Sequence, residues 1–197
     1  MATSKTYDVV AIGNAIVDVL AFCDDAFITV QEMRKGTMQL IDAPRAEQLY
    51  AAMGQATEVS GGSAANTLAG MADLGAKTAF IGKVNADELG KIFRHDMNAI
   101  GVEFKTPNAT NVVPTARCLI AVTGDGQRTM NTFLGAAGEI HTDDVDANLI
   151  QQAKIFYGEG YMWDLEVTKT ALRHAFATAR AAGTKIAFTL SDVFCVE

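Results

Sequence analysis

The chain is short of basic residues, of cysteines and of long apolar runs, and each shortage excludes a class of function. It has 16 Lys and Arg against 23 Asp and Glu, which gives a net charge of −7. A nucleic-acid-binding surface must be basic to displace counterions from phosphates, so DNA and RNA are not expected partners. The cysteines are odd in number and form no C-x-x-C pair, as is typical of reduced thiols in the cytoplasm. They are Cys23, Cys118 and Cys195.

No apolar stretch approaches the length that a membrane-spanning helix needs. The opening residues, MATSKTYDVV, also lack the apolar core of a signal peptide. We therefore expect a cytoplasmic protein that does not bind a membrane.

A glycine-rich entry to a helix is the most informative segment of the chain. The residues GGS at 61–63 precede an apolar periodicity that predicts a helix over Ser63–Leu74, with Ser63 as its N-cap and Gly75 as its stop. Glycines let backbone N–H groups approach a ligand, and the helix dipole favours electron-rich oxygens at that end. Asn66 falls in the first turn. The alternative is an ordinary glycine turn before an Ala-rich packing helix.

A second polar group follows the first predicted strand. The continuous apolar run of Val9–Ile12 predicts that the strand Tyr7–Ile12 is a parallel strand buried on both faces, and Gly13, Asn14 and Asp18 come after it. Ligands of such folds bind at the carboxyl ends of the strands. Asp18 has apolar neighbours, and burial of its carboxylate is costly unless something hydrogen-bonds it, as ligand hydroxyls would. A solvated loop carboxylate is the alternative for Asp18.

Strand and helix patterns alternate along most of the chain, which predicts an α/β fold with a parallel sheet. A turn at 124–126 joins two strands into a hairpin. Besides the elements already given, we predict strands at Thr78–Ile81, Arg117–Val122, Arg128–Leu134, Ile155–Tyr157 and Lys185–Leu190, and helices at Asp87–Ile100 and from about Val167 to Ala182.

Three segments occur in a characteristic order: GNAIVDVLA, GGSAANTLAGMADLGAKTAFIGKVNADELG and PTARCLIAVTGDGQRTM. They resemble the ribokinase family, the PfkB carbohydrate kinases, and most of all its adenosine kinase-like branch. The resemblance implies one ribokinase-like α/β domain, with a mainly parallel sheet flanked by helices and a small β lid. Residues 1–197 would be its N-terminal part, incomplete at the C-terminus, with lid strands within about 19–40 and 102–122 and a homodimer formed through the lid.

The resemblance also implies an activity: transfer of the γ-phosphoryl group of ATP, with Mg²⁺, to a primary hydroxyl of a nucleoside, above all adenosine, or of a sugar. Aromatic residues at two strand ends, Tyr161 and Phe194, are candidates for stacking on a purine, ahead of Phe133. The residues implied to hold the substrate hydroxyls are Asn14, Asp18, Gly61, Gly62, Ser63 and Asn66.

Two segments of the family pattern are missing from the sequence: D-T-x-G-A-G-D, which carries the catalytic Asp and an anion hole, and N-x-x-E, associated with magnesium and phosphate. The nearest string, GAAGE at 135–139, is predicted to be a loop. We therefore expect no catalytic residue and no metal ligand in this chain, and no kinase activity from it alone.

Two questions stay open at this stage. One is whether strand residues near the lid point into the pocket or into an interface; these residues are Thr115, Arg117, Cys118 and Ile120. The other is a rival function, a non-catalytic dinucleotide-binding module. The rival needs G-x-G-x-x-G directly after the first strand, whereas Gly13 is followed by Asn14.

Overall fold

The computed structural model describes residues 5–196, apart from the side chain of Phe194. The strands in chain order are β1 (Tyr7–Ile12), β2 (Ile16–Phe22), β3 (Met38–Leu40), β4 (Ala56–Gly61), β5 (Thr78–Ile81), β6 (Val102–Phe104), β7 (Ala116–Val122), β8 (Arg128–Phe133), β9 (Ala153–Glu159) and β10 (Lys185–Thr189). The α-helices are α1 (Asp25–Val30), α2 (Ala43–Ala52), α3 (Ser63–Asp73), α4 (Glu88–Ala99), α5 (Ala147–Gln151) and α6 (Glu166–Ala181).

The strands form two sheets of different character. The main sheet has the order β10-β9-β1-β5-β6, and every neighbouring pair in it is parallel. The second sheet, here called the lid sheet, has the order β3-β8-β7-β2-β4 and mixes parallel and antiparallel pairs. The chain enters the lid sheet directly from β1, so the first strands of the two sheets are only three residues apart.

The main sheet is covered on both faces, which explains why β1 reads as a continuous apolar run. Val10 and Ile12 point to one face and pack in a cluster with residues of α5 and α6. Val9 and Ala11 point to the other face and pack with residues of α3 and α4. Because side chains alternate along a strand, each residue of Val9–Ile12 is buried in one layer or the other, whereas Tyr7 and Asp8 at the start of β1 are half-buried.

The predicted strands and helices are present, with ends that differ by one to two residues. The positive φ of Gly75 (+89°) and Gly101 (+87°) ends α3 and α4 as the sequence indicates. Two local predictions are wrong. Gly62, not Ser63, is the N-cap of α3, and no side chain of α3 caps it. The GAAGE segment is a 3-10 helix, Gly135–Glu139, with its small residues buried, rather than a loop.

The lid sheet agrees with the predicted segments in part, since the end of β2 and β3 lie in segment 19–40 and β7 lies in segment 102–122. Segment 19–40 holds the end of β2, the helix α1 and only the short strand β3, because Asp24 caps a helix there by accepting from the N–H of Phe27. In segment 102–122, β6 belongs to the main sheet, where Phe104 packs against Phe93 with ring centroids 5.2 Å apart. The lid sheet instead gains β4 and β8.

Within residues 5–196, no helix combines the length and the apolar character that crossing a bilayer requires.

Candidate functional site

A cavity of about 230 Å³ lies between the carboxyl ends of the main-sheet strands and the inner face of the lid sheet. Its polar lining comes largely from the loop after β1, from β2, from the first turn of α3 and from the segments that follow β9 and β10. Its apolar lining comes mainly from β3, β7 and β8 of the lid, and comprises Met38, Leu40, Ile120, Met130 and nearby Leu134, together with Ile16 of β2.

The structure brings together most of the residues that the sequence singled out. The cavity is lined by Asn14, Asp18, Gly62, Ser63, Asn66 and Tyr161. Gly61 contacts the site indirectly, since it packs against Asp18. The side chain of Phe194 lies outside the described part of the structure, and its stacking role stays a prediction. Phe133, the less favoured stacking candidate, packs against the lid core instead.

Asp18 lies within a strand rather than in a loop at a strand end. It is central in β2, between Ile16 and Leu20 on the cavity face, and pairs with Val59 of β4 and Cys118 of β7. Burial raises the pKa of the Asp18 carboxyl to about 6, and the charge of Arg128 across the cavity partly opposes that rise. No hydrogen bond within residues 5–196 occupies the carboxylate, so both oxygens are available to a ligand.

The glycines of the GGS segment make room for protein groups. A Cβ on Gly61 would lie 2.4 Å from Cγ of Asp18, so only glycine leaves space for the carboxylate. Gly62 has φ +99°, and a Cβ there would lie 2.5 Å from the carbonyl oxygen of Asn14. The glycines therefore let the end of β4 and the start of α3 pack closely against β2 and the loop after β1.

A buried carboxylate that sequence reasoning missed joins these segments. Glu159, the last residue of β9, is 0 % exposed. Its Oε1 accepts a hydrogen bond from the N–H of Asn14 at 2.7 Å, and its Oε2 accepts one from the N–H of Ala64 at 2.8 Å. The rule that pointed to Asn14, a polar residue at the carboxyl end of a buried strand, applies equally to Glu159.

Three further charged residues line the cavity: Arg128, Asp164 and Asp192. Burial, and then the nearby Asp192, raise the pKa of the Tyr161 phenol.

The four residues in and just before β7 whose direction the sequence left open do not all point the same way. Cys118 and Ile120 face the cavity, whereas Arg117 stacks its guanidinium over Tyr50 and Thr115 donates to Asp87. The alternation of side chains along β7 separates the last two from the cavity.

Among residues 5–196, no group of three or more His, Cys, Asp or Glu side chains converges as the ligands of a metal ion would.

Comparison with known proteins gives one consistent answer. Residues 8–195 match the family described as pfkB family carbohydrate kinase. A solved adenosine kinase from Sinorhizobium meliloti is 53% identical, with a TM-score of 0.91 over 96% of this chain. A probable sugar kinase from Rhizobium etli CFN 42 is 48% identical, with a TM-score of 0.92 over 98% of this chain. A probable fructokinase-7 of Arabidopsis thaliana is 30% identical over 65% of this chain.

The chain spans 58% of the length of each of these two solved structures and 38% of the fructokinase. The predicted ribokinase-like fold is confirmed by the two solved structures, and a dinucleotide-binding module loses its support because the family match covers both sheets. The chain belongs to the pfkB family of carbohydrate kinases.

Proposed function

We propose that residues 1–197 are the substrate-binding N-terminal part of a kinase that transfers the γ-phosphoryl group of ATP to a primary hydroxyl of a nucleoside, with adenosine the best candidate. The proposal is supported by the 53% identity to the adenosine kinase of Sinorhizobium meliloti. It is also supported by the cavity, which is lined by polar side chains on one side and by apolar side chains of the lid sheet on the other.

The observation that carries the proposal is a carboxylate with two unoccupied oxygens beside an apolar wall. Asp18 accepts hydrogen bonds only, and two of them from a vicinal diol would be charge-assisted. Asn66, exposed in the first turn of α3, both donates and accepts, and so orients the sugar. The lid side chains Leu40, Ile120 and Met130 offer apolar contact to a base. A nucleoside has both parts, a diol and a base.

A sugar is the second candidate substrate, because a probable sugar kinase and a fructokinase are also similar to the chain. A free sugar would satisfy Asp18 and Asn66 but leave the apolar wall of the lid without a counterpart. Burial of apolar surface is worth about 25 cal/mol per Å². The presence of that wall therefore favours the nucleoside.

In the proposed mechanism this chain binds and orients, and the transfer chemistry is completed elsewhere. Asp18 and Asn66 fix the ribose, and the ribose fixes the direction in which its primary hydroxyl points. ATP supplies the phosphoryl group, and Mg²⁺ would neutralise its charge. The catalytic base and the anion hole are expected downstream of Glu197.

Calorimetric titration of the complete protein with adenosine, guanosine, ribose, fructose and fructose 6-phosphate tests the proposal. We expect adenosine to bind most tightly and ribose far more weakly, since ribose lacks the base. Tighter binding of fructose than of adenosine would establish the sugar alternative instead. A phosphoryl-transfer assay with the product identified by mass then shows which hydroxyl is modified.

We further propose that the lid sheet pairs two copies of the protein. The face that carries Asp18 holds exposed apolar side chains: Leu40, which also lines the cavity, is 45 % exposed, and Phe22 and Val59, which do not line it, are 88 % and 41 % exposed. Sedimentation equilibrium of the complete protein decides this point, and a monomer at micromolar concentration would contradict it.

A further inference from the structure

Glu159 lies where three segments of the site meet. In the parallel register, Gly158 pairs with Ile12, so Glu159 stands beside Gly13 at the carboxyl edge of the main sheet. A Cβ on Gly13 would lie 2.7 Å from Cδ of Glu159, which shows how closely the carboxylate fits against this loop. The two oxygens then reach in different directions, one to the loop after β1 and one to α3.

The contact with α3 replaces a missing helix cap. The N-cap residue is Gly62, which has no side chain to accept from the first N–H groups of the helix. Helix N-termini leave such donors unsatisfied and carry a partial positive charge. Oε2 of Glu159, which belongs to β9, accepts a hydrogen bond from the N–H of Ala64 and so caps the N-terminus of α3.

We propose that Glu159 is a positioning residue of the substrate site, whose carboxylate joins the backbone of Asn14 to the first turn of α3 and so sets the spacing of the two segments that grip the ligand. This inference rests on the proposed function of the site. Glu159 borders the cavity, but its side chain is 0 % exposed and each of its oxygens already accepts from a backbone N–H, so its role is to hold the two segments in place.

The protonation state of the Glu159 carboxylate should change near neutral pH. Burial raises its pKa to about 7, while the two backbone hydrogen bonds oppose that rise. A protonated Glu159 turns one acceptor oxygen into a donor that faces an N–H, so one of the two ties is lost. The site should therefore loosen as the pH falls through about 7.

Gly13 and Asn14 of the loop after β1 and Ala64 of the first turn of α3 lie against Glu159, and none of these three residues is titratable. The segments after β9 and β10 and the cavity wall contribute Tyr161, Cys195, Asp18, Cys118, Arg128, Asp164 and Asp192. Burial raises the pKa of the Asp18 carboxyl to about 6, which is close to the range of Glu159.

The test is Glu159→Gln in the complete protein, with Asp87→Asn as the matched control. Gln keeps the size and one acceptor oxygen, but its NH₂ group faces an N–H. Asp87 likewise ties two backbone segments, by accepting from the N–H groups of Gly90 and Thr115, yet it does not line the cavity. Both variants lose stability, and only Glu159→Gln should raise the Kd for adenosine, by about tenfold at pH 8.

A pH series of adenosine binding from 5.5 to 8.5 separates positioning from stability. The wild-type affinity should fall in two steps, near pH 7 and near pH 6. Glu159→Gln should lack the upper step and keep the lower one, whereas Asp87→Asn should keep both. An unchanged Kd in Glu159→Gln, or an upper step that persists in it, overturns the inference.

The wild-type protein provides a second measurement if Glu159→Gln does not fold. The amide proton resonances of Asn14 and Ala64 should titrate together near pH 7, since both bonds end on one carboxylate. Separate or absent titration of these two resonances also overturns the inference. If the wild type binds neither nucleoside nor sugar, the proposed function fails, and the two resonances still report whether Glu159 ties the segments.

Discussion

Asp18→Asn should weaken nucleoside binding and at the same time stabilise the unliganded protein. The carboxylate of Asp18 is half-buried, and no hydrogen bond within residues 5–196 occupies it. Its ionised form is therefore costly in the empty site and valuable only when a ligand supplies donors. A residue that served the fold alone would show a loss of stability instead.

The two effects have comparable sizes. A pKa raised from 3.8 to about 6 corresponds to about 3 kcal/mol, and partial exposure to solvent reduces the expected gain in unfolding free energy to about 1–2 kcal/mol. Loss of charge from the bonds to a diol costs about 1.5–3 kcal/mol, which is roughly a ten- to hundredfold rise in Kd.

The pH dependence follows from the direction of the shift. The pKa of Asp18 is higher in the folded than in the unfolded state, so folding is penalised most where both states are ionised, above pH 6. The stability gained by Asp18→Asn should therefore be full at pH 7 and vanish as the pH falls from about 6 to 4. Wild-type nucleoside affinity should fall below pH 6, and the variant should lack that step.

Urea denaturation and calorimetric titration of the complete protein, each at pH 4, 6 and 7.5, measure these effects. Asp125→Asn is the control, because hydrogen bonds from Lys35 and Thr123 lower the pKa of the Asp125 carboxyl. That variant should lose stability at neutral pH without any change in Kd. If Asp18→Asn destabilised the protein, or bound nucleoside as the wild type does, Asp18 would be a structural residue.

The main sheet could be predicted from the sequence because each of its elements has a strong local signal. The apolar run of β1 and the periodicity of α4, with Gly101 at its end, need no tertiary information to interpret.

The lid sheet was harder to predict because its strands are short and come from distant parts of the chain. β3 has three residues, and β4 alternates polar and half-buried positions without a strong apolar pattern. Whether β6 joins the lid or the main sheet is decided by the packing of Phe104 against Phe80 and Phe93, which is a tertiary contact.

At the site, sequence motifs located residues that line the cavity but not what holds them in place. Asn14, Asp18 and Asn66 lie in recognisable segments. Glu159 follows a glycine and precedes another, and only the pairing of β9 with β1 places it beside Gly13. The reason for Gly61, space for the carboxylate of Asp18, likewise requires the register of β2 against β4.

Three further expectations follow from the same geometry. Gly61→Ala should reduce nucleoside affinity by displacing the Asp18 carboxylate, whose Cγ is 2.4 Å from the added Cβ. Gly54→Ala is its control, because no atom lies within 4 Å of the added Cβ. This control should change neither the Kd measured by titration nor the melting temperature. Arg128→Met should raise the pKa of Asp18 further, since the charge of Arg128 now lowers it, so in a binding series the affinity of the variant should fall at a higher pH than that of the wild type. Residues 1–197 alone should transfer no phosphoryl group from ATP to adenosine, because the sequence lacks the family segments for the base and the anion hole, and residues 5–196 bring no metal-binding cluster together. Such groups each supply several kcal/mol of barrier lowering, so their loss should leave no turnover above the uncatalysed background. Product detected by mass from this segment, at a rate that scales with its concentration, would show that the catalytic groups lie within these residues after all.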